Sequence, residues 1–271
     1  MPSPHDLPGL FLADSATKLP PEATGQVVVS GSHGGRYPGF LAALGGARAV
    51  ILNDAGIGKD EAGIAALHDL ETLGMPAATV SHMSCRIGSA ADMMRRGVIS
   101  RVNALAHLCG VAEGDICRAA ALRLRDAPAE HAKPASFRET RSEVQIGARR
   151  RIVLLDSASL VRTDDTAAIV VTGSHGGLVG GAIAAALRVD AFAAVFNDAG
   201  IGLEDAGVVR IAALDARAIA AFTVAAHSAR IGEAQSTYAD GLVSRVNFTA
   251  QAAGIREGEP ARLAIDRLAA L

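Results

Sequence analysis

Gly31-Ser32-His33-Gly34-Gly35 returns unchanged as Gly173-Ser174-His175-Gly176-Gly177, and Asn53-Asp54-Ala55-Gly56-Ile57-Gly58 returns as Asn197-Asp198-Ala199-Gly200-Ile201-Gly202. Two more matches come in the same order: Ser-x-Arg-Ile-Gly at Ser84–Gly88 and Ser228–Gly232, then Ser-Arg-Val-Asn at Ser100–Asn103 and Ser244–Asn247. An Asp-Ser-Ala triplet precedes them all, at Asp14–Ala16 and Asp156–Ala158. The offset is 142 residues from Gly31 to Gly173 and 144 from Asn53 to Asn197, so the halves differ by two residues between those motifs. Five ordered matches imply a tandem duplication, and the period is too long for a solenoid of many units. The expected organisation is a first α/β repeat over residues 1–126 and a second over 151–271. A Pro-, Ala- and charge-rich linker over 127–150 joins them.

Outward from the motifs the pattern alternates strand and helix. Val27–Ser30 and Ile169–Thr172, Ala49–Leu52 and Ala191–Phe196, Ala77–Val80 and Ala221–Ala226, and Val98–Val102 and Leu242–Val246 are short apolar, β-branched runs, most of them ending in polar or glycine turns. Ala- and Leu-rich segments of helical length lie between them, such as Glu61–Leu73 and Asp205–Ala218. Alternation of this kind predicts an α/β fold. Each half should hold a mostly parallel sheet with flanking helices, the two related by a pseudo-twofold axis. The Asp-Ser-Ala segment is too close to the next strand for a crossover helix, which leaves an edge hairpin or a short helix.

Composition removes several classes of function. The chain has 271 residues, a formal net charge of −2, and 50% hydrophobic against 20% charged residues, so it carries no broad basic field for nucleic acid or membrane. Mean hydropathy is +0.28, yet charged residues and glycines break every apolar run before membrane-spanning length. Met1–Leu10 does not read as a signal peptide. Cys85, Cys109 and Cys117 read as reduced thiols, which points to a cytoplasmic protein. Trp is absent and aromatics make up 3%, which leaves no base-stacking platform. The expected partner is a small-molecule substrate, with neither nucleic acid nor membrane; the apolar composition makes a homo-oligomer an additional expectation.

The repeated polar residues fall just after strands, at the edge where parallel sheets bind ligands. Three such loops in each half predict a lined pocket. Gly34, Gly35, Gly176 and Gly177 would let backbone N–H groups and a helix start face a carboxylate, phosphate or oxyanion. No Gly-Lys-Ser/Thr comes after them, so this is not a Walker loop, and the missing Tyr-x-x-x-Lys argues against nicotinamide binding. Ser32 and Ser174 sit where a nucleophile elbow would place a serine, with His82 or His227 as base and Asp54 or Asp198 to orient it. His33 and His175 suit general acid–base work. Arg86 and Arg230 suit a carboxylate clamp, with an ion pair to Asp54 or Asp198 as the structural alternative. Asn53, Asn197, Ser84, Ser228 and His227 complete the candidate binding set. No cofactor is predicted; a divalent metal on His33, Asp54 and His82 or His227 is an alternative. Asn103 and Asn247 read as helix N-caps, and Arg101 and Arg245 as interface charges between the halves.

The halves also diverge. Cys85 faces Ala229, Lys59 faces Leu203, Tyr37 faces Val179, His82 faces Ala226 and Met83 faces His227, which suggests one asymmetric site or one live and one degenerate site. The expected activity is that of an enzyme on a small carboxylate- or amide-bearing metabolite. Amidohydrolase-like cleavage of an amide or cyclic amide bond comes first, with an isomerase or decarboxylase of a small acid as the alternative. A non-catalytic nucleotide- or phosphometabolite-binding protein and a purely structural duplication are the remaining readings. The structural one requires Asp54–Arg86 and Asp198–Arg230 pairs with no cavity between them.

Overall fold

Val27, Val28 and Val29 are wholly buried, with side chains alternating between two apolar layers, as a central strand covered on both faces demands. The computed structural model describes residues 7–144 and 149–271. The first sheet contains β1 (Leu10–Ala13), β2 (Val27–His33), β3 (Ala49–Asn53), β4 (Ala77–Val80) and β5 (Ile99–Val102), in that spatial order. The strands β1 to β4 are parallel, and β5 closes the edge antiparallel. The helices of this half are α1 (Arg36–Leu44), α2 (Ala66–Thr72), α3 (Ala90–Arg96), α4 (Ala104–Leu108) and α5 (Cys117–Leu124). Helices α1 and α2 cover one face of the sheet and α3, α4 and α5 the other.

The second sheet repeats this order with one strand more. It contains β6 (Arg141–Val144), β7 (Ile152–Leu155), β8 (Ile169–His175), β9 (Ala193–Asn197), β10 (Ala220–Val224) and β11 (Val243–Val246). Strands β7 to β10 are parallel, with β6 and β11 antiparallel at the two edges. Its helices are α6 (Val209–Asp215), α7 (Ala234–Asp240), α8 (Phe248–Ala252) and α9 (Ala261–Ala270). Two sheets of mostly parallel strands with flanking helices, in halves of similar size, are consistent with a duplication.

Two local expectations are revised and a third is resolved. The 127–150 stretch is not all linker, because Arg141–Val144 pairs with β7 and adds the sixth strand. The Asp-Ser-Ala segment takes the short-helix alternative and not the hairpin. In the first half Leu10–Ala13 is a parallel edge strand, and Ser15 then caps a single helical turn over Ala16–Lys18. The Glu61–Leu73 and Asp205–Ala218 segments yield shorter helices. Asp60, Glu61, Glu204 and Asp205 adopt positive φ and spend those residues on a turn instead.

The two sheets meet through the loops beyond their strands. Lys59 N–H donates to Ala226 O at 2.8 Å, and the equivalent Leu203 N–H donates to His82 O at 2.9 Å. Such reciprocity is the mark of a local twofold relation. Ala55, Ile87, Ala199, Ala206 and Ile231 form a small apolar core at this contact. At its centre a Cβ added to Gly56 would lie 2.8 Å from Cα of Gly200, so no other residue fits.

Candidate functional site

Strands β2 and β8 each run on past a register shift, after Val29 and Val171, before pairing His33 with Asn53 and His175 with Asn197. That irregularity delivers both Ser-His pairs to the space between the sheets. A cavity of about 750 Å³ opens there, and Ser32, His33, Ser174 and His175 all line it. The two glycine loops therefore converge on one shared cleft.

Both imidazoles are held in one protonation form. His33 Nδ1 accepts from Gly35 N–H at 3.1 Å, and His175 Nδ1 accepts from Gly177 N–H at 3.1 Å. A ring nitrogen that accepts cannot carry the proton, so each neutral ring carries it on Nε2. Burial pushes the His33 pKa down to about 4. Burial, and then the positive charge of Arg210, depresses His175 well below the usual histidine range. At neutral pH the pair therefore presents N–H donors rather than a base.

The backbone of these loops does something other than expected. Gly34 N–H donates to Asn53 O at 2.7 Å and Gly176 N–H to Asn197 O at 2.8 Å, while Gly35 and Gly177 bond the histidines. All four amides are spent inside the loops, so they form no oxyanion nest. The glycines are required by close packing instead: a Cβ on Gly34 would sit 2.6 Å from Gly63 O, and one on Gly176 the same distance from Gly207 O. Ser32 Oγ accepts from Ala16 N–H and Ser174 Oγ from Ala158 N–H, both at 2.9 Å, which explains why Asp-Ser-Ala recurs. Among the described residues no histidine or carboxylate hydrogen-bonds either hydroxyl, so the serines lack an activating base.

Asp54 and Asp198 lie outside the cavity. Asp54 accepts from Gly56 N–H, His82 N–H and His82 Nδ1, at 3.1, 2.9 and 2.8 Å. Burial favours its neutral form, but the bonds from His82 outweigh this and hold its pKa below the usual carboxylate value. Asp198 accepts from Gly200 and Ala226 N–H in the same way. Both aspartates staple the Asn-Asp-Ala-Gly-Ile-Gly turn at the contact between halves. Asn53 and Asn197 receive Ala55 and Ala199 N–H within that turn. Ser84 and Ser228 each bridge Ser81 or Ala225 O to the N–H of Val98 or Leu242.

The arginines are also redistributed. Arg86 pairs with Glu204 across the contact, and Arg230 pairs with Asp60 at 2.8 Å and Glu233 at 2.7 Å. Neither meets Asp54 or Asp198, so the closed-pair arrangement of a purely structural duplication is not what forms. Arg230 reaches the cavity wall, but already neutralised. Arg101 and Arg245 pair within their own halves, with Glu113 and Glu257, rather than across the interface. His227 lines a separate groove with His82 and Asp198. Asn103 and Asn247 cap α4 and α8 as expected. Cys85 is buried, and that burial pushes its thiol up to about 12, so it stays protonated at neutral pH.

Two residues that the motifs did not flag dominate the site. Arg210, in α6, is 5% exposed and lines the cavity beside His175. Its Nε and Nη2 donate to Gly177 O at 3.2 and 2.9 Å, and its guanidinium lies 4.8 Å from the Phe196 ring centroid. Among the described residues no carboxylate pairs with it, and burial alone lowers its pKa to about 10. The equivalent first-half residue is Ala66, against which Gly39 of α1 packs. The second half has no such helix, because Gly180 and Gly181 take positive φ and leave single helical turns over Val179–Gly181 and Ile183–Ala185. The only sequence signal was the Ala66/Arg210 mismatch, one of several differences between the halves.

Glu139 is the other. Strand β6 anchors it: Thr140 N–H and Oγ1 both reach Asp156 Oδ2 at 2.7 Å, and Arg141 makes a two-pronged bond to the buried Asp165. Upstream, Phe137 packs on Tyr37 and Phe40, with centroids 5.8 and 5.9 Å away. The segment thus bridges the halves and lays Glu139 on the cavity wall. Burial, helped by the Asp156 charge and opposed by Ser157, pushes the Glu139 carboxyl up to about 7.

A neutral N–H pair, an unpaired guanidinium and a carboxyl titrating near neutrality can together hold an anion, stabilise a growing oxyanion and exchange a proton. No cluster of three His, Cys, Asp or Glu suited to a metal occurs among the described residues. No helix of the described residues is long and apolar enough to cross a membrane. No protein-family model matches the chain, and neither a curated protein nor a solved structure matches it.

Proposed function

We propose that the protein is an enzyme that moves a proton on a small carboxylate-bearing metabolite. The observation that carries this is Arg210: a buried, charged guanidinium without a carboxylate partner, facing a cavity, is a seat for a substrate carboxylate. Glu139, with a pKa near 7, takes the proton from the carbon beside a carbonyl. The electron pair moves onto that carbonyl oxygen, and the Nε2–H groups of His33 and His175 receive the developing charge. A neutral imidazole N–H, rather than an imidazolium, serves that task here, as it does where a neutral histidine polarises a substrate carbonyl. Glu139 then returns the proton, which makes the reaction an isomerisation or exchange. The near-neutral carboxyl is what a simple binding module would not need.

The same parts support a second reading, hydrolysis of an amide or cyclic amide. The two imidazoles line one cavity from opposite halves, which also suits a tetrahedral oxyanion, with Glu139 activating water instead of abstracting a proton. Ser32 and Ser174, without a base, have no part in it.

The test is solvent exchange. A panel of 2-oxo and 2-hydroxy acids is incubated with the protein in D2O and followed by proton NMR. Loss of the C–H signal next to the carbonyl, abolished by Glu139→Gln, is the expected result. Exchange at the same rate in Glu139→Gln would overturn the reading. Release of amine from an amide panel, without exchange, would replace it with hydrolysis.

A further inference from the structure

The cavity is larger and more one-sided than a three- or four-carbon acid requires. Its volume of about 750 Å³ is in the range that encloses a drug-sized molecule (~300–1,000 Å³). His33, His175 and Arg210 line it together, and so do charged groups outside that set, among them Arg36, Asp60, Asp156 and Glu233. The lining also carries apolar side chains from both sides of the contact: Tyr37 and Phe137 from the first half and the bridging segment, and Val179, Ala182, Ala185 and Leu187 from the second half. That second side exists because the second half does not form the counterpart of α1. Where the first half places a helix packed on Ala66, the second leaves small apolar side chains around an open chamber. Tyr37 and Phe137 lie with ring centroids 5.8 Å apart, so they offer an aromatic edge to whatever fills it.

Resting on the carboxylate-seat reading of Arg210, we infer that the substrate is a carboxylic acid carrying an aromatic or comparably bulky apolar body. The acid group sits on Arg210, the reacting carbonyl lies under the two imidazole N–H groups, and the body fills the chamber against Phe137 and Tyr37. A second anionic group is the chemical rival, because Arg36 and Arg188 also line the cavity. Both are exposed, Arg36 lying 3.7 Å from Asp69 and Arg188 reaching Ser159 O at 3.5 Å, so water screens their charges. The buried seat is single, which favours one carboxylate and an apolar remainder.

Isothermal titration of the full chain with pyruvate, phenylpyruvate and 2-oxoglutarate separates these outcomes. All three share the 2-oxo carboxylate and differ in the group attached to its carbonyl carbon: a methyl, a benzyl or a carboxyethyl. Phenylpyruvate is expected to bind at least about tenfold tighter than pyruvate, because burying the ring adds apolar contact that the methyl group lacks. Phe137→Ala should shrink that ratio by about tenfold, and Ala185→Phe, which fills the chamber from the other side, should shrink it independently. A phenylpyruvate-to-pyruvate ratio near one, or tighter binding of 2-oxoglutarate than of phenylpyruvate, would overturn the inference and leave the Arg210 reading standing. Failure of the wild-type protein to bind any of the three, or affinities untouched by Arg210→Met, would overturn both.

Discussion

Arg210 holds the carbonyl oxygen of Gly177 with two guanidinium nitrogens, at 3.2 and 2.9 Å, yet meets no carboxylate among the described residues. The carbonyl fixes the guanidinium in place without neutralising it. Keeping a full charge buried in this way costs stability, and the cost is offset when an anion arrives. Arg210→Met should therefore weaken binding of a small carboxylate by about 10- to 100-fold, in line with loss of a charge-assisted bond. The urea midpoint should stay unchanged or rise. Titration calorimetry and a urea melt on the same sample check both; a variant that binds normally contradicts the assignment.

Glu139 sets the expected pH profile. Its carboxyl is raised to about 7 by burial and by Asp156, so the charged base accumulates as pH rises through that value. The kcat/KM should climb from pH 6 to 8 with a midpoint near 7. In Glu139→Gln that limb should vanish and the residual rate fall at least about a hundredfold. A limb that survives the substitution would assign the titration to another group.

Acid should destabilise the protein through the two cavity histidines. Free histidine binds its proton with a pKa near 6.5, and His33 does so in the folded state only near 4. Between those values the unfolded chain holds more protons, so this contribution is present above pH 6.5 and is lost as pH falls towards 4. His175 acts with the same sign. Glu139 acts oppositely, favouring the fold most at low pH. Urea unfolding at pH 7.5, 5.5 and 4.5 should show stability falling with acid, and His33→Asn with His175→Asn should flatten that slope.

Gly56 and Gly74 make a matched pair. Both have positive φ, 77° and 81°, but a Cβ on Gly56 meets Gly200 Cα at 2.8 Å whereas one on Gly74 meets nothing within 4 Å. Gly74→Ala should cost only the backbone strain, about 1–2 kcal/mol. Gly56→Ala adds overpacking at the contact between halves, for about 2–4 kcal/mol in all. Equal losses in urea titrations would mean that the halves separate more easily than their packing implies.

Ser32 and Ser174 have hydroxyls that accept backbone N–H groups and no base to activate them. Ser32→Ala and Ser174→Ala should each keep the rate within about tenfold, while losing about 1 kcal/mol of stability from the unmade bond. A loss of a thousandfold or more in either would restore the serine nucleophile.

Much of the fold was legible because its causes are local. Runs such as Val27–Ser30 and Ala49–Leu52 are apolar on both faces, and a strand buried on both sides leaves that signature whatever surrounds it. Asn103 and Asn247 announce helix caps by the same kind of short-range chemistry. The antiparallel β5 and β11 and the strand in the 127–150 stretch left no such trace, since pairing direction and edge addition depend on partners distant in the chain.

The site was legible in part. The repeated Ser-His pairs pointed to His33 and His175, and the cavity contains them. Asp54, Asp198, Asn53 and Asn197 recur just as faithfully but for another reason: they staple the turn on which the two halves meet. Two like halves repeat their interface residues as strictly as their binding residues, so recurrence by itself cannot separate the two.

The sequence by itself determined two similar α/β halves and the two histidine loops, because strand burial, glycine spacing and capping are written within a few residues of one another. Tertiary structure alone decided which polar groups share a space. Arg210 and Glu139 lie 71 residues apart in sequence, one in a helix of the second half and one in the bridging segment. What gives each its chemistry, burial without a counter-ion for the first and burial beside Asp156 for the second, exists only once the two sheets close over the same cavity.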